Sequence, residues 1–272
     1  MRIKLKERVM PIYRWMLALG FDFLKTFRAI RGLGKYFTDF YKIQKQSKNK
    51  NINIKISLNY PCLLDHSQQS GKARGHYFHQ DLLVAQKIFQ RSPKKHVDIA
   101  SRIDGFVAHV ASFRQIEVFD IRPIEQEIPN VKFQQIDFMK DLGQLSNYCD
   151  SLSCLHALEH FGLGRYGDTV DIDGYLPAID NFHKLLQKDG ILYLSVPIGS
   201  PKIEFNAHRI FSIKEMLRAV NGKFNLLSFS FINDKGRLNK HVRIDSERIG
   251  NNCDCNCGCG IFELEKQGGR FG

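Results

Sequence analysis

Residues 155–168, LHALEHFGLGRYGD, gather two imidazoles, a carboxylate, a guanidinium and a phenol in one glycine-containing stretch: His156, Glu159, His160, Arg165 and Tyr166. A solvated loop seldom carries so many groups able to hold or move a proton, so the stretch reads as a site of acid–base chemistry. His160 is the first candidate base. Glu159 would orient it or bind substrate, and His156 remains a rival because adjacent residues need not share a direction. A second string, NAHRIFS at 206–212, offers Asn206, His208 and Arg209 to a polar or anionic acceptor, with Arg suited to phosphate or carboxylate. His76, Tyr77 and His79, in GHYFHQ, would close another wall. Each of these six could instead cap an element or satisfy the core.

Alternating elements supply the scaffold for these groups. GHYFHQDLLVAQKIFQ (75–90) places Phe78, Leu82, Ala85 and Phe89 on one helical face, and Pro93 stops that helix. VDIA (97–100) follows as a strand, then a helix over 104–113, the strand IEVFDI (116–121) and a short helical turn after Pro123. VKFQQID, CDSLSCL and GILYLSV supply three more strands, with a helix over 141–146 and a long one over 174–188 ending at Gly190. Such alternation implies a mostly parallel sheet covered by helices on both faces. After the helix SIKEMLRAV, the strands FNLLSFSFI and GIFELEK are joined only by a polar loop, 233–259, and read as a closing antiparallel pair at one sheet edge. HVDIASRIDGFVAHV followed by IEVFDIRP is strand, tight turn, helix and second strand ending in an acid, the opening of a nucleotide-binding α/β sheet. Asp120 ends that second strand, 22 residues after Asp98, where a carboxylate can accept from both ribose hydroxyls.

Five alternating units and a terminal hairpin resemble the class I S-adenosylmethionine-dependent methyltransferases: a Rossmann-like, mostly parallel seven-stranded sheet with a terminal antiparallel hairpin. More closely, RGHYFHQDLLVA, SRIDGFVAH, FDIRP, LHALEHFGLGRYGD and EFNAHRIFS are similar to an uncharacterised bacterial family of methyltransferase-like proteins associated with surface-polysaccharide synthesis, over residues 70–265. The resemblance implies S-adenosylmethionine as cofactor and methyl transfer to a sugar, glycan precursor or other small polar acceptor. It places Asp98, Ala100, Ser101 and Gly105 at the first cofactor turn, Asp120 and Ile121 at the ribose, Asp137 and Phe138 at the adenine, and Leu155 at the end of the fourth strand. Ala100, Arg102 and Asp104 stand where the family pattern has glycines. Alanine costs little if its φ stays below zero, whereas Arg102 and Asp104 must turn their side chains away or make polar contacts of their own. The missing glycines keep an alternative open, a degenerate module that binds a glycan or protein partner without the cofactor.

The 272 residues, 43% of them hydrophobic, suffice for one full core plus an appendage. Charge separates the two: residues 1–50 carry a net +10 of the total +12, leaving +2 for the rest. In that basic segment Tyr13, Trp15, Leu17, Phe21, Phe23, Leu24 and Phe27 interleave with Lys6, Arg8, Arg14, Lys25, Arg28 and Arg31. The pattern suits an interfacial helix on an anionic membrane surface, or a helix packing its aromatic stripe on the main domain. No reader motif accompanies it, which argues against nucleic acid. No signal peptide or spanning stretch is expected, so the location reads as cytoplasmic and peripheral to the inner membrane. QKQSKNKNINIK marks a link near 43–55, giving a helical segment 1–50, an α/β domain 51–266 and a polar tail 267–272. CDCNCGC (253–259) could ligate a soft metal, but structural zinc sites usually draw cysteine pairs from two segments, so the reading is an ordinary loop and no metal ligands are assigned. The oligomeric state is open.

Overall fold

The computed structural model describes residues 2–68, 70–71 and 73–268; residue 1, the side chains of 2–9 (Lys6 and Arg8 included) and the last four residues of the expected tail lie outside them. The chain divides into two compact units, residues 1–71 and 72–272. In the first, α1 (Arg2–Ala18) and α2 (Phe23–Asn49) are separated at Gly20, whose φ of +91° favours glycine. Asp22 caps α2, accepting from the Lys25 N–H and the Tyr13 hydroxyl, each at 2.9 Å. Among the described residues no helix is long and apolar enough to cross a membrane.

The second unit runs α3 (His76–Arg91), β1 (His96–Ile99), a wide turn Ile103–Val107 continuing into α4 (Ala108–Ala111), β2 (Ile116–Asp120), β3 (Val131–Gln135), β4 (Cys149–Leu155), α5 (Tyr175–Leu185) and β5 (Leu186–Ile198). It continues through β6 (Lys202–Glu204), β7 (His208–Ile210), α6 (Ile213–Val220), β8 (Phe224–Ile232), β9 (Leu238–Asn239), α7 (Ser246–Asn251) and β10 (Gly258–Lys266). One sheet has the order β3-β2-β1-β4-β5-β10-β8-β9, and β6 and β7 form a separate pair. β1 to β5 are parallel, and β10 is antiparallel to both β5 and β8. Two cores cover the faces: Val84, Ile88, Val107 and Val110 of α3, α4 and the turn on one, Phe182, Leu185, Ile213 and Met216 of α5 and α6 on the other. The chain order turns back between β1 and β4, which opens a crevice at their carboxyl ends.

Several expectations change. The main sheet has eight strands rather than seven, because Leu238–Asn239 adds a two-residue edge strand to β8, too short to show alternation in sequence. The 233–259 loop also contains α7 and a 3-10 turn at Asn252–Asp254. No helix forms over 141–146: Gly143 sits at φ +58°, and the Asn181 side-chain amide donates to the carbonyls of Phe138 and Lys140. Pro123 and Pro129 bracket bends and turns in place of a helical turn. The helix over 174–188 ends at Leu185, because Leu186 is fully buried with extended backbone and begins β5. On α3 the inner face is Gln80, Asp81, Leu83, Val84, Ala85 and Ile88; Phe78, Leu82 and Phe89 lie outside, Phe89 against Phe113 at 5.4 Å.

Candidate functional site

Beneath the first turn lies a chain of buried hydrogen bonds. Asp98, the penultimate residue of β1, accepts from the Ser101 N–H (2.9 Å), the Ser101 hydroxyl (2.7 Å) and the Ser153 hydroxyl of β4 (2.5 Å). Ser101 Oγ accepts in turn from the Leu155 N–H at 3.1 Å, and His96 lies between the hydroxyls of Ser151 and Ser153 at 2.8 and 3.1 Å. Burial pushes the Asp98 carboxyl up to about 7, against the pull of Ser153 and Ser101, and pushes the His96 imidazole down to about 3. Asp98, Ser101 and Leu155 therefore fix the turn from below and do not line the cavity above it.

Above that network the turn keeps the backbone form of a glycine without the glycine. Ala100 has φ +56°, so the condition under which alanine would cost little there is not met, and its N–H donates to the Phe119 carbonyl at 2.9 Å. Such a conformation costs an L-residue roughly 1 kcal/mol or more. Asp104 turns outward, and Arg102 pairs with it at 3.0 and 2.7 Å while staying on the cavity wall, 5.2 Å from the centre of the Tyr77 ring. Gly105 is held elsewhere: a Cβ on it would meet Asp81 Oδ2 at 2.7 Å, so it serves helix packing and is not among the cavity's lining residues.

A cavity of about 290 Å³ opens at the carboxyl ends of β1, β2 and β4. Of the residues singled out from sequence, it brings together Tyr77, Ala100, Asp120, Ile121, Asp137, Phe138, His156, His160, Arg165 and Tyr166. Phe138 is nearly fully buried, stacked on Phe119 at 6.1 Å, and Asp137 accepts from the Met139 N–H at 2.9 Å. Asp120 is already engaged: Arg122 donates to its Oδ1 from Nε (3.0 Å) and the backbone N–H (2.9 Å), and to Oδ2 from Nη2 (2.6 Å). The same guanidinium lies 4.4 Å from the centre of the Tyr166 ring, whose edge meets His160.

His160 has a defined tautomer. Its Nδ1 lies 2.7 Å from the Ala207 carbonyl, an acceptor only, so Nδ1 carries the proton and Nε2 keeps the lone pair. Burial lowers its pKa from the ordinary 6.5, with Glu159 pulling the other way. Arg165 donates to the same carbonyl at 2.8 Å. Glu159 does not line the cavity; its side chain is 2% exposed and Oε1 lies 2.7 Å from His156 Nδ1. Burial works against its ionisation, yet His156 and His160 hold it below the usual carboxylate range. Glu159 thus orients His156 directly and stands 3.9 Å from His160 Nε2.

The remaining candidates lie outside this cavity. His76 stacks on His156 with ring centres 5.1 Å apart, and burial pushes its pKa down to about 4. His79 lies instead in a second groove, lined with Arg74, Phe78 and Leu82. Asn206 takes φ +60° in the β6–β7 hairpin, His208 pairs with Glu204 across it, and Arg209 donates to the carbonyls of Phe161 (3.2 Å) and Ile172 (2.8 Å) as an internal tie. Sequence reasoning missed Arg122, Met139, Phe161 and Asp168 among the lining residues. Asp168 accepts from the N–H groups of Gly162, Gly164 and Tyr166 and so folds the loop over the cavity; an acid closing a glycine-rich string was the available signal.

A family model described as "Caenorhabditis protein of unknown function, DUF268" matches residues 106–254. Among solved structures, the Burkholderia thailandensis 1,6-didemethyltoxoflavin-N1-methyltransferase, with bound 1,6-didemethyltoxoflavin and S-adenosylhomocysteine, is 12% identical with a TM-score of 0.50, covering 70% of this chain and 79% of its own. The 4+2 cyclase SpnF is 17% identical with a TM-score of 0.52, covering 77% of this chain and 90% of its own. No curated protein matches the chain. These likenesses give the fold, the Rossmann-like α/β fold of class I methyltransferases; a methyltransferase and a cyclase share it, so the reaction must be argued from the site.

Proposed function

This chain belongs to the DUF268 family, and we propose that it is an S-adenosylmethionine-dependent methyltransferase acting on a small polar acceptor. The observation that carries the reading is one cavity at the switch point that joins Asp120, Asp137 and Phe138 to His160. The residues fit the cofactor: Ala100 keeps the left-handed turn of the missing glycine, Asp120 would hold the ribose hydroxyls, and Asp137 with Phe138 would hold and cover the adenine. S-adenosylmethionine, when bound, supplies an electrophilic methyl group. Much of the rate then comes from positioning, and a base is needed only for a weak nucleophile such as a hydroxyl. His160 Nε2 takes that proton, because Nδ1–H is committed to the Ala207 carbonyl. Arg122 must share or release the Asp120 carboxylate for the ribose to bind.

Arg102, Arg122 and Arg165 around the cavity, with Tyr77 and Tyr166, favour an acceptor bearing an anionic group, such as a phosphorylated sugar or glycan precursor. The tie to surface-polysaccharide synthesis rests on the sequence resemblance. The membrane reading of the N-terminal unit draws support from Trp15, Phe21 and Phe27, all more than half exposed beside Lys25, Arg28 and Arg31. A second reading, a module that binds a glycan or protein without the cofactor, is favoured by the Arg122 hold on Asp120.

Calorimetry with S-adenosylmethionine and S-adenosylhomocysteine separates the two. Heat of binding is expected for the intact protein, with affinity reduced about 10- to 100-fold in Asp120→Ala, the worth of a charged hydrogen-bond acceptor. Absence of heat with both ligands would leave the cofactor-free module as the reading.

A further inference from the structure

We infer that His76, His156 and Cys259 form a binding site for a divalent metal ion of zinc type, beside the cavity rather than within the CDCNCGC loop as a whole. One ligating atom from each lies within 4.8 Å of the others. The three come from separate segments, the start of α3, the residue that follows β4 and the second residue of β10, as zinc sites commonly require. Imidazole and thiolate donors together select borderline-soft ions over magnesium or calcium.

His156 provides the independent observation. Its side chain is 6% exposed, Nδ1 is committed to Glu159 at 2.7 Å, and Nε2 has no hydrogen-bond partner. A buried polar atom left unmatched costs about 1–3 kcal/mol, and an ion at Nε2 satisfies it. A carboxylate that fixes the tautomer of a metal-binding histidine through the other ring nitrogen is the usual outer shell of such sites. The backbone holds the ring in place: His156 sits at φ +50°, its N–H donates to both the carbonyl (3.0 Å) and hydroxyl (3.1 Å) of Ser195, and that hydroxyl donates to Gln80 at 2.6 Å.

The spacing allows closure. Bonds of about 2.0 Å to nitrogen and 2.3 Å to sulfur place tetrahedral donors roughly 3.4–3.6 Å apart, so the side chains draw together by about 1 Å. Cys259 is fully buried, with its Sγ 3.5 Å from Gln80 Oε1, which keeps a bulky electrophile from reaching the thiol and disfavours a Cys–His nucleophile here. His76, half-buried, leaves the approach for a small ion. Three protein donors leave one tetrahedral position for water or another ligand.

The test uses the full chain, chelator-stripped and then dialysed against Zn²⁺ or Co²⁺ alone, with metal content by mass spectrometry and absorption of the cobalt form. A single equivalent of metal and a thiolate-to-cobalt charge-transfer band are expected. Cys259→Ser should abolish the band, His76→Gln should weaken Zn²⁺ binding about 100-fold or more, and Glu159→Gln about 10- to 100-fold through His156. Cys253→Ser/Cys257→Ser should keep both the equivalent and the band. Failure of the intact protein to retain metal overturns the site, as does loss of metal in Cys253→Ser/Cys257→Ser with retention in Cys259→Ser. Should Cys259→Ser not fold by circular dichroism, His76→Gln decides alone: unchanged Zn²⁺ affinity overturns the site.

Discussion

His160 has its role narrowed by one hydrogen bond. With Nδ1–H given to Ala207, only Nε2 can accept a proton, and burial keeps it neutral further into acid than a solvated imidazole. A histidine whose folded pKa lies below 6.5 is still neutral at pH 6.5 and charges only below it. The acid limb of kcat/KM is therefore expected below pH 6.5, and His160→Ala should lower kcat by roughly 100- to 10,000-fold while cofactor binding stays intact. Equal turnover in the variant, or an unshifted pH profile, would move the base elsewhere. The rivalry with His156 was not decidable in sequence, because neighbours in a loop diverge once the backbone adopts positive φ, as it does at His156. What LHALEHFGLGRYGD could announce was the concentration of groups. Which of them face one another depended on Ala207, Ser195 and Cys259, each more than 35 positions away.

Elements hold these residues by close approaches as much as by hydrophobic packing. Gly162, in the loop over the cavity, sits at φ +79°, and a Cβ there would lie 1.8 Å from the Asp171 carbonyl oxygen. Gly162→Ala is expected to cost about 1–3 kcal/mol and to displace Phe161 from the cavity wall, read as a lower Tm together with weakened ligand binding. A normal Tm would mean that the loop relaxes freely. On the opposite side of the sheet, Glu263 of β10 receives Lys87 at 2.6 Å and Arg91 at 2.7 Å from α3. Burial opposes its charge, but these partners hold its pKa below the usual 4.5; the stability they add is present above pH 4.5 and is lost as pH falls through the lower folded value. Glu263→Gln should cost roughly 1–3 kcal/mol near neutrality, less than a fully buried pair because Arg91 is partly exposed, and the gap to the parent should shrink in acid. An undiminished gap at low pH would remove this pair as its cause. The face of α3 shows why periodicity misled: Gln80 and Asp81 turn inward to serve Ser195 and the Gly105 turn, while Phe78 and Phe89 stay outside.

At the scale of the whole chain, charge and sheet order divide the molecule into a basic helical unit and an α/β unit, residues 1–71 and 72–272. Each Lys or Arg near an anionic leaflet contributes about 1 kcal/mol, so Lys25→Glu/Arg28→Glu/Arg31→Glu should lower partitioning onto phosphatidylserine vesicles roughly 100-fold or more. Equal co-flotation of parent and variant would remove these residues from any membrane role. The sequence by itself determined the parallel strands β1 to β5, the helices before β1 and before β5, the antiparallel return of β8 and β10, and the acids near the ends of β1 and β2, because periodicity and strand-end chemistry are local properties; it did not determine that β2, β3 and β4 follow one another without the expected helices. Short elements such as β9 and the β6–β7 pair escaped it, being too brief to carry a period. Only the tertiary structure decided that Asp98 works beneath the turn while Asp120 faces the cavity, that Arg122 holds Asp120, and that Cys259 leaves its neighbouring cysteines for His76 and His156. Those outcomes follow from contacts between segments far apart in sequence, whose geometry is fixed by the sheet register and by no local pattern.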